Sequence, residues 1–431
     1  MRVLRKINIS DPAYFKKQLL HWGHHHDEVI WLDSNDHHEK YGSYDALLAV
    51  DALTSVVTDT ENGFEKLSEY RKETADWIFG YLTYDLKNDT EVLQSNNYDG
   101  LNLPELYFFQ PKKIFLLKGT QLEMHYLRMV DDEIENDLQE ITNMDISDSM
   151  IRQRTHPVRI KLRIHKDAYY EKVRTMLSHI QRGDIYEANF CQEFYAEDVE
   201  IHPLETYLHL NEISLAPFAV YLKLQENYLL SASPERYLQK KKNKVVSQPI
   251  KGTAKRSSDK EEDQVLKKQL SQDPKERSEN IMITDLVRND LSKTALKGTV
   301  NVEELCGVYT FQQVHQMIST ITAGVNEATD PVSIIKTTFP MGSMTGAPKI
   351  KAMQIIEALE ESKRGLYSGA VGYFTPEGDF DFNVIIRSIL YNASKKYVSF
   401  SVGSAITAGS VPEREYEECL IKAKAMREVL E

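Results

Sequence analysis

Between Asp131 and Ser149 the chain is so rich in Asp, Glu and Asn that the segment reads as a solvated helix and linker, and a linker there divides the fold into lobes. Residues 1–150 then form an N-terminal lobe and residues 151–431 a larger second one. With 431 residues, of which 41% are hydrophobic, a sizeable core is available. In the first lobe, Asp76 to Leu86 predicts a buried strand running into a turn. In the second, Lys166 to Arg182 predicts an amphipathic helix, with Tyr169, Val173, Met176 and Ile180 on one face. Ser231 to Leu238 and Val245 to Ile250 predict two strands, joined by the basic run Gln239 to Lys244 as a solvated hairpin tip.

The formal net charge of −13 argues against nucleic acid or an anionic membrane as the main partner, because either needs an extended basic face. An anionic substrate must then be held by a few local cations or by a metal. No apolar stretch approaches the ~20 residues of a membrane span, and Met1 to Ser10 lacks the apolar centre of a signal peptide. Cys191, Cys306 and Cys419 are widely spaced and fit no zinc or CxxC pattern, which suits buried or neutral thiols in a reducing compartment. The expectation is a soluble, cytoplasmic protein.

Several segments carry residues suited to chemistry. Lys251 lies in Gln248-Pro249-Ile250-Lys251-Gly252-Thr253, where Gly252 lets the backbone approach a ligand closely. Partial desolvation there is expected to lower the lysine pKa and yield a neutral, nucleophilic amine. Asp273-Pro274 predicts an N-cap and first turn of a helix to about Leu291, with Glu276 and Glu279 on one face. A second helix, Glu413 to Leu430, presents Glu415, Glu418 and Lys422 together. Two carboxylate pairs on two helices suit Mg²⁺, although spacing alone favours ordinary charged faces with a Glu418–Lys422 ion pair. Gly342 to Lys349 is a glycine-rich turn opening a helix, not a Walker A loop, and suits a carboxylate as well as a phosphate. Arg387 falls in the apolar strand Phe382 to Ser388, which calls for a carboxylate partner. Taken singly, Tyr367 reads as a core aromatic and His315 as a structural histidine. The histidines from His21 to His38 lack catalytic spacing.

Together these segments closely resemble the chorismate-utilising enzymes, and among them the aminodeoxychorismate synthases, component I, over roughly Lys161 to the C-terminus. The markers are Gly183-Asp184-Ile185-Tyr186, Ser233-Pro234-Glu235-Arg236, Pro249-Ile250-Lys251-Gly252-Thr253, Arg277-Ser278-Glu279-Asn280 and Asp285-Leu286-Val287-Arg288-Asn289-Asp290. Thr345-Gly346-Ala347-Pro348-Lys349, Tyr367, Arg387 and Glu415-Tyr416-Glu417-Glu418 complete them. Anthranilate synthases usually have alanine in place of Lys251, and isochorismate and salicylate synthases a lysine base in place of Glu187. The pair Lys251 and Glu187 therefore points to amination of chorismate at C4, with anthranilate synthase component I as the alternative.

The resemblance implies an α/β fold of two antiparallel sheets packed face to face with helices outside, residues 151–431 forming the chorismate-binding catalytic part. It implies that Glu279 and Glu418 bind Mg²⁺, with Glu276 and Glu415 alongside. Tyr367, Arg387 and Thr345 would orient the enolpyruvyl group, while Gly252, Thr253 and Lys422 would lie close to the substrate. Glu235 and His315 would assist departure of the C4 hydroxyl, and Lys251 would attack C2 before ammonia enters at C4. No cysteine lies in a glutaminase-like motif, so ammonia is expected from a separate glutamine amidotransferase subunit. Trp31-Leu32-Asp33-Ser34 stands where tryptophan-regulated relatives carry Leu-Leu-Glu-Ser, which argues against that regulation.

Overall fold

The structure is a computed structural model that describes residues 2–37, 40–146, 158–312 and 314–431. The boundary expected at residue 150 and His38 lie outside the described residues. Among the described residues, twenty strands are hydrogen-bonded into one antiparallel network. The expectation of two separate sheets is therefore corrected: there is one sheet with two arms. The strand Leu106–Lys118 joins them. Its first half, Leu106 to Phe109, pairs with Ile78–Leu82, and its second half, Lys113 to Lys118, pairs with Gln121–Leu127. Along its other side runs Ala46–Thr58, whose register shifts between Ala52 and Thr54, opposite Pro111. A proline cannot donate to the ladder, so the irregularity falls where the sheet divides.

One arm continues from Ala46–Thr58 through Glu28–Asp33, Phe218–Leu224, Asn227–Ser233, Ser388–Asn392 and Tyr397–Thr407 to Glu187–Ala196. The other runs from Ile78–Leu82 through Ala370–Phe374, Phe380–Asn383, Arg236–Lys241 and Lys244–Gln248 to Val314–Gly324. The last strand also pairs with Ile250–Lys255 and Asn301–Thr310. One core cluster unites Leu47, Ala49 and Leu222 of the first arm with Phe79, Tyr373 and Ile321 of the second, so the arms pack against each other. Side chains alternate across a strand, and Leu48 and Val50 accordingly belong to a second core. There they meet Leu19, Tyr169, Val173 and Met426 from helices that cover the outer face.

The Lys166–Gln181 helix forms as its periodicity predicts, with Tyr169, Val173 and Met176 buried. The acidic segment is less solvated than expected. Its helix, Ile134–Asn143, buries Ile134, Asp137 and Ile141, and Asp137 accepts hydrogen bonds from Lys113 at 2.5 Å and Tyr126 at 2.8 Å. The basic hairpin also differs, because Arg236–Lys241 continues as a strand almost to the tip. Gln239 and Lys240 are buried there, and Lys240 donates to the carbonyl of Gly378 at 3.0 Å.

Candidate active site

Lys251 sits near the start of Ile250–Lys255, where Gly252 has φ +98°. A Cβ added at Gly252 would come within 3.1 Å of Glu276 Oε2 and 3.2 Å of Met317 Cβ and would be strained at this φ, so glycine suits the close approach of this strand to the helix Pro274–Ser292. Asn280 of that helix fastens the junction, its amide donating to the carbonyls of Lys251 at 3.2 Å and Met317 at 3.1 Å. The helix starts as its sequence predicts: Asp273 caps it by accepting from the backbone N–H of Lys275 at 2.9 Å and of Glu276 at 3.0 Å.

Five acids act on the Lys251 ammonium electrostatically, Glu276 among them. It donates to Glu187 Oε1 at 2.9 Å, and Glu279, Glu235 and Glu418 lie farther out. Burial pushes the ammonium down, but Glu187, then Glu279 and Glu235, outweigh it, and the group ends above the ordinary lysine range. The expectation of a lowered pKa is thus corrected: desolvation was legible in the sequence, whereas the carboxylates come from distant segments. Burial also pushes the Glu235 carboxyl up to about 7, against the pull of Ser343, Lys251 and the Ile250 amide. Glu279 is likewise raised to about 7 by burial, with Lys251 opposing.

The second helix, Pro412–Leu430, faces the first across the site. Lys422 bonds Glu418 at 2.7 Å and the carbonyl of Gly403 at 2.8 Å. Burial raises Glu418, but Lys422, Lys275 and Lys251 together outweigh that and leave it below the usual carboxylate range. Glu415 is buried and accepts a hydrogen bond from the Ser404 hydroxyl. The sequence-predicted acids do converge, around the ammonium of Lys275: it is held up by Glu279, Glu415, Glu276 and Glu418, after burial, which opposes them. Thr345 is buried beside Glu187, its carbonyl accepting from the Asn189 N–H at 2.8 Å while Gly346 and Ala347 pair with Ala188 and Glu187. Thr253 is exposed.

Residues 16–428 match the chorismate binding enzyme family. The chain belongs to that family. It is 34% identical over 363 residues to anthranilate synthase component 1 of Thermus thermophilus, a match covering 82% of this chain and 77% of that one. It is also 34% identical over 394 residues to the chloroplastic aminodeoxychorismate synthase of Arabidopsis thaliana, covering 86% of this chain. Of the plant protein the match spans 42%, less than half its length. The fold matches the crystal structure of anthranilate synthase component I from Streptococcus pneumoniae, with a TM-score of 0.78 and 24% identity over 91% of this chain and 94% of that one.

In this chorismate-binding enzyme Arg387 departs from the sequence expectation in two ways. It lies between the strands Phe380–Asn383 and Ser388–Asn392, at φ +52°, rather than within one strand. Among the described residues no carboxylate pairs with its guanidinium, which instead lines a cavity with Ala232, Pro234, Gln316 and Met426. Burial lowers its pKa, with Tyr367 opposing. Tyr367 is itself buried, its hydroxyl 3.9 Å from the Cys191 thiol. His315 is fully buried and both ring nitrogens are engaged, by Asp263 and Thr310, each at 3.0 Å.

Its neighbour Gln316, which sequence reasoning passed over, is 3% exposed and leaves Oε1 without a hydrogen-bond partner at the Arg387 cavity. The strand's alternation was the available signal: residues 315 and 316 must point to opposite faces. Ser343 and Lys275 were passed over too, and only the i,i+4 spacing of Lys275 to Glu279 hinted at either.

Among the described residues no three acids form a ready-made metal cage. The donor set still fits a hard cation that retains water and takes ligands from its substrate. Glu279 Oε1 is buried without a hydrogen bond, 3.8 Å from Lys275, and four carboxylates share one ammonium. Among the described residues no helix is long and apolar enough to cross a membrane.

Proposed function

We propose that this enzyme aminates chorismate at C4 with ammonia, giving 4-amino-4-deoxychorismate for 4-aminobenzoate and folate synthesis. The observation that carries the reading is Lys251: a half-buried amine, held by a ring of acids at the site, beside a Glu235 carboxyl raised to about 7. A carboxyl with that pKa is about half protonated at neutral pH, and its protonated form can donate to a leaving hydroxyl. Equal identity to relatives of both names leaves the reaction to such site residues. Lys251 attacks C2, Glu235 protonates the departing C4 hydroxyl, and ammonia enters at C4 and expels the lysine. Arg387 and Tyr367, with Thr345, receive the enolpyruvyl carboxylate, which supplies the partner that Arg387 lacks among the described residues. Lys422, Gly252 and Thr253 border the ring. His315 acts as a positioning group through its strand.

Mg²⁺ would be held by Glu279 and Glu418, with Glu276 and Glu415 near, and would supply positive charge for the ring carboxylate. Ammonia would come from a separate glutamine amidotransferase subunit. The test is to incubate the purified chain with chorismate, ammonium and Mg²⁺ and identify the product by mass and absorbance. 4-Amino-4-deoxychorismate supports the reading, and anthranilate replaces it with anthranilate synthase component I.

A further inference from the structure

Lys251 cannot attack carbon while it is an ammonium, because the nitrogen then has no lone pair. A proton acceptor is required, and the charged groups facing Lys251 are few. They are Glu187 at the start of Glu187–Ala196, Glu235 in the turn after Asn227–Ser233, Glu276 and Glu279 on the Pro274–Ser292 helix, and Glu418 on the C-terminal helix. Glu235 has to deliver a proton and so cannot begin by taking one. Glu276, Glu279 and Glu418 face Lys275. Glu187 is the acid within hydrogen-bond distance, 2.9 Å from the reacting nitrogen. It is 1% exposed, and its Oε2 has no hydrogen-bond partner. Its backbone is clamped on one side by Ala347 and on the other by Thr407, so the carboxylate is held in place before substrate arrives.

We propose that Glu187 is the catalytic base that removes one proton from Lys251 Nζ. This rests on the C4-amination reading. The step balances. Lys251 ammonium and Glu187 carboxylate become amine and carboxylic acid, and the amine lone pair forms the N–C2 bond. The two ring double bonds each shift one position, and the C4–O bond breaks as Glu235 gives its proton to form water. Ammonia then bonds to C4 and the double bonds shift back. The C2–N bond breaks with its electron pair returning to Lys251. The surplus proton on the new C4 amine restores Glu235, and Lys251 recovers its own from Glu187. No oxidant or further reactant is consumed. The exchange between Lys251 and Glu187 separates no charge, since an ion pair becomes a neutral pair, which suits a buried position.

The experiment measures covalent adduct formation by intact mass in wild type, Glu187→Gln, Glu187→Ala and Lys251→Met, with chorismate and Mg²⁺ but no ammonia. Glu187→Gln keeps the shape and loses the base. The adduct rate is expected to fall by about 10²-fold or more near neutral pH; at higher pH, where ionisation of Glu235 slows wild type, the growing neutral-lysine fraction should sustain the Glu187→Gln rate, so that its ratio to wild type climbs steeply toward the lysine range. In Glu187→Ala, added formate should restore part of the rate by standing in for the carboxylate. A Glu187→Gln enzyme with the wild-type rate and pH profile overturns the proposal. So does a loss in both variants that neither alkaline pH nor formate relieves, which would mark Glu187 as an anchor only. Product identity in wild type is scored separately: a wild type that releases anthranilate and never carries an adduct fails the C4 reading itself.

Discussion

Lys251 was expected to be a neutral amine and is instead held as an ammonium by acids that the local sequence does not contain. Its role as nucleophile predicts that Lys251→Arg fails as badly as Lys251→Met, by at least about 10³-fold in kcat, because arginine keeps the charge and cannot lose a proton. Steady-state rates with ammonium check this, and substantial activity in the arginine variant would assign Lys251 to charge pairing. Glu235 makes a second prediction. Its folded pKa of about 7 lies above the ordinary value of 4.5, so the native state keeps a proton that the unfolded chain releases. Stability therefore falls as pH rises through that window, by about 3 kcal/mol once the carboxyl is ionised. Glu235→Gln has no proton to lose. Its Tm relative to wild type should rise between about pH 5 and about pH 8, and a pH-independent difference in thermal denaturation would place Glu235 at its ordinary value.

The helix Pro274–Ser292 delivers Glu276, Glu279 and the Asn280 clamp, and the capping signal Asp273-Pro274 was legible in the sequence. Asp273→Ala removes two hydrogen bonds at its first turn and should reduce stability by about 1 kcal/mol. Since Glu276 lies in that turn, the Mg²⁺ concentration for half-maximal activity should also rise. An unchanged Mg²⁺ titration with a lowered Tm would separate the cap from the metal. Strand phase was harder to read. His315 and Gln316 are adjacent, and which of them meets the cavity depends on pairing Thr253 with Gln316, a register that no local pattern announces. For the same reason the apolar run around Arg387 predicts a strand, although the chain there passes between two strands.

Cys191, Cys306 and Cys419 are all buried, and burial pushes their thiols up, Cys191 to about 12 and Cys419 to about 11. None is poised as a glutaminase nucleophile. The purified chain should therefore turn over chorismate with ammonium and not with glutamine as sole nitrogen source, measured by product formation. Efficient use of glutamine by the single chain would require a nucleophile elsewhere. The same burial follows from the architecture, in which strands from the first hundred or so residues are ladder partners of strands far along the chain, such as Val371 opposite Tyr81.

Local pattern alone determined the Asp273-capped helix, the amphipathic helix from Lys166 and the ordered motifs that mark the family, because periodicity and caps are properties of neighbouring residues. Tertiary structure decided the rest. That one sheet bends at Leu106–Lys118 rather than splitting in two depends on a strand pairing differently along its two halves. That Lys251 is charged, and that its proton has Glu187 to go to, depends on a contact between residues 64 positions apart. Long-range pairing and the balance between burial and charge are set by which segments meet, and that is fixed only when the chain has folded.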